Sequence, residues 1–339
     1  MLSLNTKILG AAAIAASLIA GPSLAQETHL KFAHWAAPEH TLKPTIIDPL
    51  SEGLTEATDG ELVVDVYPGG ELGPGPAEQY KRALTGVADM VWGLPGYTSS
   101  QFPLSMIVEL PGVVEEAGSG YEAVWNVYDD YLTSEFPGTR PVALWASEPN
   151  ILILGDRQVR TLDDLAGLKI RVSGSNPGRL IEALGATPVQ MPATEMYTAL
   201  QTGLIDGVLT GASAVGDFRL NEIADVYVEG PQLGNILFYV VLNQAKYDSL
   251  TDAQKQAIDA TAGKELSRSG EEGWNAAADR VLDELRETEG KTVITLSEEE
   301  SAPFDKVATE VRESIIADLT AQGLPAEEVL AAMTGQSSQ

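Results

Sequence analysis

The sequence predicts an α/β fold arranged as two lobes. Strand-like and helix-like patterns alternate along the chain with short connections, which is typical of α/β proteins. A helix–turn–strand pattern occurs twice, as ALTGVADMVWG (83–93) and as ALQTGLIDGVLTG (199–211), and suggests one such unit in each lobe. From Thr251 to Glu289 the pattern is helical almost without interruption, and a helix of that length usually spans more than one subdomain.

The first part of the chain predicts three strands and two helices. Alternation of apolar and polar residues marks the strands, and apolar residues spaced by three or four mark the helices. The strands are HLKFAHW (29–35), ELVVDVYPGG (61–70) and ADMVWGLPG (88–96), and the helices are LKPTIIDPLSEGLTEATDG (42–60) and GPAEQYKRALTG (75–86).

Beyond Pro141 the same alternation resumes. Gly263, Gly270 and Gly273 are weak points in the long helical stretch, because glycine disfavours a helix interior. Strands are predicted at 141–149, 168–174, 187–191, 205–211 and 235–243, helices at 176–184 and 194–203, and two short helices between Ser297 and Leu330.

The N-terminus has the pattern of a secretory signal peptide over residues 1–25. A lysine precedes an apolar run from Ile8 to Ala20, and the small-residue site Ser23-Leu24-Ala25 follows. The run is short for a membrane span, so cleavage near Ala25 and export are expected rather than a retained anchor.

Charge and cysteine content exclude several classes of function. The formal net charge is −28 over 339 residues, which argues against nucleic acids and anionic membrane surfaces as partners. The chain contains no cysteine, so thiol chemistry and cysteine metal sites are excluded. An anion could be held only in a local basic pocket.

No motif in the sequence predicts catalysis, a cofactor or a metal. The H-E-x-x-H, G-x-S-x-G, P-loop and Rossmann glycine patterns are all absent. His29, His34 and His40 could chelate zinc together with Glu39. However, His29 and His34 point to opposite faces of a strand, which disfavours that alternative.

Aromatic residues are concentrated near predicted strand ends. Trp35, Trp92, Tyr97 and Trp145 each lie at or just after such an end, and the internal repeat places Thr210 at the position equivalent to Trp92. In open α/β sheets the ligand crevice lies beyond the carboxyl ends of the strands. We therefore expect an aromatic wall in a cleft between the lobes, although each of these residues could also belong to the core.

Arg171 lies near the end of the strand LKIRVSG. Its guanidinium could bind a carboxylate through two hydrogen bonds, or it could occupy a solvated strand edge as Lys169 does two residues earlier. The strand pattern alone leaves both possibilities open.

The stretch GLKIRVSGSNPGRLIEALGATPVQMPATEMYTALQTGLIDGV (167–208) resembles the DctP-type substrate-binding proteins of TRAP (tripartite ATP-independent periplasmic) transporters. The leader, LKFAHWAAPEH, YPGGELG, ALTGVADMVW and the long helix fit the same family. The resemblance implies a bacterial periplasmic protein with two α/β lobes, an interlobe ligand cleft and a long helix spanning both lobes.

The resemblance also implies boundaries, partners and the role of Arg171. Residues 26–149 with about 240–276 would form lobe I, and residues 150–239 with about 277–339 would form lobe II. Arg171 matches the arginine that binds the ligand carboxylate in the family. The partners implied are a small organic acid and the transporter's membrane subunits, with no nucleotide cofactor, and a monomer is favoured over a dimer.

Departures from sialic-acid-binding members narrow the expected ligand. Those members carry a second arginine where this chain has Ile151, and an asparagine in the segment where this chain offers Thr210. With the aromatic residues nearby, a less polar monocarboxylate, either aromatic or a keto acid, is expected. The alternatives are a sugar acid or a neutral solute as ligand, and a receptor that feeds a sensor instead of a transporter. The sequence leaves open whether His34 contacts ligand or supports Trp35.

Overall fold

The computed structural model describes residues 27–114 and 118–335, so the predicted signal peptide lies outside the described residues. Within those ranges no helix is both long and apolar enough to cross a bilayer. The strands are β1 Thr28–Ala33, β2 Leu62–Tyr67, β3 Met90–Gly93, β4 Thr139–Ala146, β5 Asn150–Leu154, β6 Lys169–Val172, β7 Thr187–Gln190, β8 Gly207–Gly211, β9 Val226–Glu229, β10 Leu237–Asn243 and β11 Thr292–Thr295.

These strands form two mixed sheets, and each sheet is the centre of one lobe. The sheet of lobe I has the order β2-β1-β3-β10-β4, and the sheet of lobe II has the order β11-β9-β5-β8-β6-β7. In lobe I, β1 pairs in parallel with β2 and β3, whereas β10 runs antiparallel to β3 and β4. The two-lobed α/β fold predicted from the sequence is confirmed.

Helices cover both sheets, and their termini follow ordinary capping rules. Thr251 and Ser297 each form a capping box with the residue three positions later, Gln254 and Glu300. The helices are α1 Asp48–Ala57, α2 Gln79–Leu84, α3 Gly120–Val127, α4 Ser175–Ala183, α5 Met196–Gln201, α6 Ser213–Asp217, α7 Gln244–Asp248, α8 Asp252–Thr261, α9 Lys264–Glu287, α10 Glu298–Ala321 and α11 Ala326–Met333.

The internal repeat corresponds to equivalent units in the two lobes. In lobe I, α2 leads into β3, and the Asp89 carboxylate accepts a hydrogen bond from the Lys31 backbone N–H on β1 at 2.8 Å. In lobe II, α5 leads into β8, and Asp206 accepts from the Lys169 backbone N–H on β6 at the same distance. The aspartate of each repeat thus ties the start of its strand to the neighbouring parallel strand.

Two of the connections between the lobes run side by side. Residues 147–149 lead from β4 to β5, and residues 230–236 return from β9 to β10. The Ser147 N–H donates to the Ile236 carbonyl at 2.7 Å, and the Asn150 N–H donates to the Gly234 carbonyl at 2.8 Å. The lobes are therefore joined by a short two-stranded hinge.

Helix α9 spans both lobes, packing on β4 of lobe I and on α6 and β11 of lobe II. The helical stretch predicted at 251–289 is divided at Gly263, which has a positive φ of 91° and begins α9. The sequence predicted only short helices after Ser297, but helix α10 has 24 residues. Helix α11 packs on α3 of lobe I, although the predicted boundaries place residues 277–339 in lobe II.

Glu109 lies beside the hinge, and its buried carboxyl group makes the stability of the fold depend on pH. Its Oε1 accepts from the Leu237 N–H at 3.0 Å, whereas its Oε2 has no partner. Burial raises the pKa of Glu109 to about 8, and the single backbone hydrogen bond offsets this only in part. Burial likewise raises the pKa values of Glu148 and Glu271 to about 7.

We expect the ligand-free protein to lose stability as the pH rises from about 5 to about 8. The unfolded chain releases the protons of these three carboxyl groups near pH 4.5, whereas the folded chain releases them only near pH 7 to 8. Raising the pH through this window therefore favours unfolding. The loss is on the order of a few kcal/mol. Thermal unfolding should show a smaller pH dependence for Glu109→Gln than for the unmodified chain. An unchanged pH dependence in this variant would contradict the assignment.

Candidate ligand-binding site

A cavity lies between the two lobes beside the hinge. It contains about 420 Å³ of empty space, part of it continuous with solvent. Most of its wall is apolar or aromatic, and a few ionisable groups interrupt it. The aromatic and ionisable lining residues are Trp35, His40, Trp92, Glu148, Arg171, Asp217, Phe218, Phe238 and Trp274.

Arg171 supplies the cavity's positive charge. Its side chain is 1% exposed, because lobe I covers the face of β6 on which it lies, so the solvated-edge alternative is wrong. Nε donates to the Met191 carbonyl at 2.9 Å, and Nη2 donates to the Tyr97 hydroxyl at 3.4 Å. Burial lowers the pKa of Arg171, and Tyr97 partly offsets this effect. Among residues 27–114 and 118–335, Arg171 forms no ion pair.

Tyr97 connects the lobes on the arginine side of the cavity. It follows β3 of lobe I, and its hydroxyl also accepts the Ala193 N–H of lobe II at 2.9 Å. Nearby, a Cβ built on Gly174 would lie 2.8 Å from the Gly96 carbonyl oxygen. The backbones of the two lobes therefore touch at these glycines, and the structure represents a closed arrangement.

Stacked aromatic rings form one wall of the cavity. The Trp35 ring lies 4.6 Å from the Trp92 ring and 6.0 Å from the Phe218 ring, and all three are nearly parallel. Trp274 of α9 packs beside Trp92 and Phe238. Such surfaces favour flat apolar ligands, which can add a further offset-stacked or edge-on ring.

The other end of the cavity is acidic. Asp217 accepts from both the N–H and the hydroxyl of Thr41, at 3.0 and 3.1 Å, and its Oδ2 lies 3.4 Å from Nε2 of His40. Burial lowers the pKa of His40 to about 3, so this imidazole is neutral. Glu148 lies in the hinge, and its Oε1 accepts the Ser213 N–H at 2.7 Å. The cavity is thus polarised from Arg171 to these two carboxyls.

Four of the residues predicted from the sequence line the cavity, namely Trp35, Trp92, Arg171 and Thr210. Tyr97 does not belong to the lining but holds the guanidinium of Arg171.

The other three predicted residues lie outside the lining. Trp145 packs against Phe238 and Trp274 in the core, at ring distances of 5.3 Å. Ile151 is the β5 partner of Thr210 in the lobe II sheet. His34 is buried on the lobe I side, and burial lowers its pKa to about 4.

Several cavity residues were not predicted from the sequence. Trp274 lies on the buried face of helix α9, where a tryptophan has no feature that separates it from the core. His40 was considered only as a possible zinc ligand, not as a residue of the ligand cavity. Phe218 follows helix α6 and Glu148 follows strand β4, and neither segment contains a recognisable motif. Glu148 could have been identified as a cavity residue only from its buried position in the hinge, and that position is known only once the fold is known.

The histidines do not form a metal site. His29 is on the surface beside Asp65, at 3.0 Å, whereas His34 and His40 are buried. In the part of the chain that the structure describes, no group of three or more histidine, aspartate or glutamate residues is arranged to hold a metal ion.

Comparison with known proteins assigns the family. Residues 32–318 match the DctP family, described as bacterial extracellular solute-binding protein, family 7. The C4-dicarboxylate-binding periplasmic protein DctP of Rhodobacter capsulatus is 26% identical over 336 residues, with coverage of 95% of this chain and 98% of the relative.

Solved structures share the whole fold. A TRAP solute-binding protein from Rhodoferax ferrireducens, in complex with copurified benzoate, is 26% identical with a TM-score of 0.84, and 91% of this chain and 97% of that chain are covered. A marine metagenome TRAP protein specific for aromatic acid ligands, in complex with 3-hydroxybenzoate, is 27% identical with a TM-score of 0.85 and coverages of 92% and 98%. These similar proteins are solute-binding proteins and not enzymes. The chain therefore belongs to the DctP family and is an extracytoplasmic solute receptor of the TRAP type.

Proposed function

We propose that this receptor binds an aromatic monocarboxylate in the interlobe cavity, with the ligand carboxylate held by Arg171. The observation that carries the proposal is a buried guanidinium without a carboxylate partner among the described residues. Burying an unpaired charge is costly, and a ligand anion would offset that cost. Two of the five guanidinium N–H groups are used by Met191 and Tyr97, which leaves donors for a carboxylate.

The cavity wall supports an aromatic ligand over a dicarboxylate. A second carboxylate would meet the carboxyl groups of Glu148 and Asp217 instead of a cation, so no positive charge would offset the cost of burying it. The parallel rings of Trp35 and Phe218 favour a flat ring instead. Relatives with bound benzoate and 3-hydroxybenzoate support this choice, although the DctP relative named for C4-dicarboxylates shows that the family is not uniform. A small keto acid is the second candidate, because the cavity is compact.

Delivery of the ligand to membrane subunits of a TRAP transporter is part of the same proposal. In this account the chain is exported, cleaved near Ala25, and acts as a periplasmic monomer. Lobe closure around the ligand would create the surface that the membrane subunits recognise. A receptor that reports to a sensor would have the same cavity, and transport assays with and without the membrane subunits distinguish the two.

A thermal-shift screen of residues 26–339 tests the ligand class. The panel contains benzoate and its derivatives, aryl acetates, keto acids, dicarboxylates and sugar acids. A ligand that binds only the folded state raises the unfolding temperature, and at one ligand concentration a tighter ligand raises it more. We expect stabilisation by aromatic monocarboxylates. Stabilisation by sugar acids or dicarboxylates alone would overturn the proposed class, and stabilisation by neutral solutes alone would overturn the role of Arg171.

A further inference from the structure

We propose that Glu148 is a specificity-determining residue of this cavity and that it selects aromatic acids that carry a hydroxyl group. The proposal rests on the proposed function, since it concerns the same ligand and the opposite end of the same cavity. It assigns a role to a carboxyl group that the anchoring of a ligand carboxylate by Arg171 does not use.

The carboxyl of Glu148 is held in place and has one free oxygen. Its Oε1 accepts the Ser213 N–H at 2.7 Å, whereas its Oε2 is buried and has no hydrogen-bond partner. The residue is 3% exposed and lines the cavity. A buried carboxyl oxygen without a partner costs free energy until a donor satisfies it, and the cavity is where a ligand could bring that donor.

Strand β8 ends in a glycine that leaves room for the Glu148 carboxyl group. A Cβ placed on Gly211 would collide with the Glu148 carboxyl group in its present position, so the glycine of β8 leaves room for that group. Thr210, the residue before Gly211, lines the cavity. The glutamate is therefore seated against the lobe II sheet in a built position and is not a flexible side chain that happens to point inward.

The spacing between Glu148 and Arg171 suits a disubstituted ring. On β6, Arg171 pairs with Val208 of β8, and Gly211 lies three residues further along that strand. At about 3.3 Å per residue, the Glu148 end is roughly 10 Å along β8 from the Arg171 position. The two groups thus lie at different positions along the cavity, and a benzene ring with a carboxylate on one side and a hydroxyl on another could form a hydrogen bond at each of them.

The charges at the acidic end favour a ligand group that donates a hydrogen bond. Glu148 and Asp217 line this end together, and no arginine or lysine of the described residues forms an ion pair with either of them. A ligand hydroxyl can donate to Oε2 of Glu148 when the carboxyl is charged and can accept its proton when the carboxyl is neutral, whereas a methyl group of similar size leaves that oxygen unpaired. A site built to hydrogen-bond a ligand hydroxyl discriminates strongly against analogues that lack it.

Calorimetric titration with matched ligands tests the proposal. Each hydroxybenzoate isomer is compared with the methylbenzoate of the same substitution, on the unmodified protein and on the Glu148→Gln and Glu148→Leu variants. We expect at least one hydroxy acid to bind the unmodified protein about tenfold or more tightly than its methyl counterpart. Glu148→Gln, which keeps an acceptor oxygen, should retain part of this ratio, and Glu148→Leu should reduce it to about one.

The affinity ratio separates a contact with the ligand from a structural role. If Glu148→Leu weakens both ligands equally and leaves the ratio intact, Glu148 only supports the hinge and the proposal is overturned. If the unmodified protein binds both ligands equally well, the proposal fails while the aromatic-acid function stands, and this result needs no variant to fold. If no benzoate derivative binds, the proposal and the aromatic ligand class fail together.

Discussion

We expect Arg171→Ala to lower the affinity for the receptor's acid by about two to four orders of magnitude. Closure of the lobes would bury the ligand carboxylate without its guanidinium, and leaving one member of a buried ion pair unpaired costs roughly 3–5 kcal/mol. The loss should be measured by calorimetric titration with the best ligand from the screen. Because the arginine is itself an unpaired buried cation, its removal should leave the ligand-free fold as stable as before or more stable.

Lys169→Ala is the matched control for this prediction. Lys169 is a basic residue on the same strand, but its side chain is exposed and it does not line the cavity. The Lys169→Ala variant therefore loses one positive charge from the same strand without a change in the site, and its affinity for the acid should equal that of the unmodified protein. If both variants bound the acid as the unmodified protein does, Arg171 would not hold the ligand.

Gly174→Ala weakens binding by preventing the lobes from closing fully. A Cβ on Gly174 would lie 2.8 Å from the carbonyl oxygen and 2.9 Å from the Cα of Gly96, and backbone atoms cannot move aside as a side chain can. Overpacking of this kind typically costs about 1–3 kcal/mol, which corresponds to a roughly five- to 150-fold loss of affinity. Gly174 has a φ of −167°, so alanine fits the local backbone and the penalty falls on closure.

Small-angle scattering with and without the acid shows whether closure is the affected step. The unmodified protein should become more compact on binding, whereas Gly174→Ala should compact less at saturating ligand. Gly178→Ala in helix α4 is the control, since a Cβ there would meet only Val172 at 3.8 Å. Normal compaction and normal affinity in Gly174→Ala would show that the Gly96–Gly174 contact does not limit closure.

The strand and helix order could be predicted because the patterns are local. The sequence missed the strands β5, β9 and β11, although strands of the same length, such as β3 and β6, were predicted. The break between α8 and α9 was foreseen only as a weak point at Gly263, because glycine permits but does not require a positive φ.

The candidate site was predictable only where a side chain follows a strand end. Trp35, Trp92 and Thr210 were found in this way, since the internal repeat aligned the two sheets. The same rule placed Trp145 in the site, although its ring packs into the core against Trp274. The burial of Arg171 depends on lobe I covering one face of β6, and that packing is not encoded in the strand itself.

The remaining site residues depend on long-range packing. Trp274 reaches the cavity from α9, and Asp217 meets Thr41 across 176 positions of sequence. Glu148 became visible as a candidate only through its unpaired Oε2 in the folded chain. No periodicity or spacing in one sequence reports such contacts.

The central claim is that a buried guanidinium recognises the negative charge of the ligand. Calorimetric titration of the unmodified protein with the best acid and with its primary amide tests this most directly, because the amide keeps the shape of the acid and removes its charge. The account predicts that the amide binds about a hundredfold more weakly or not measurably, and that this difference disappears in Arg171→Ala. Equal affinity of acid and amide for the unmodified protein would contradict it.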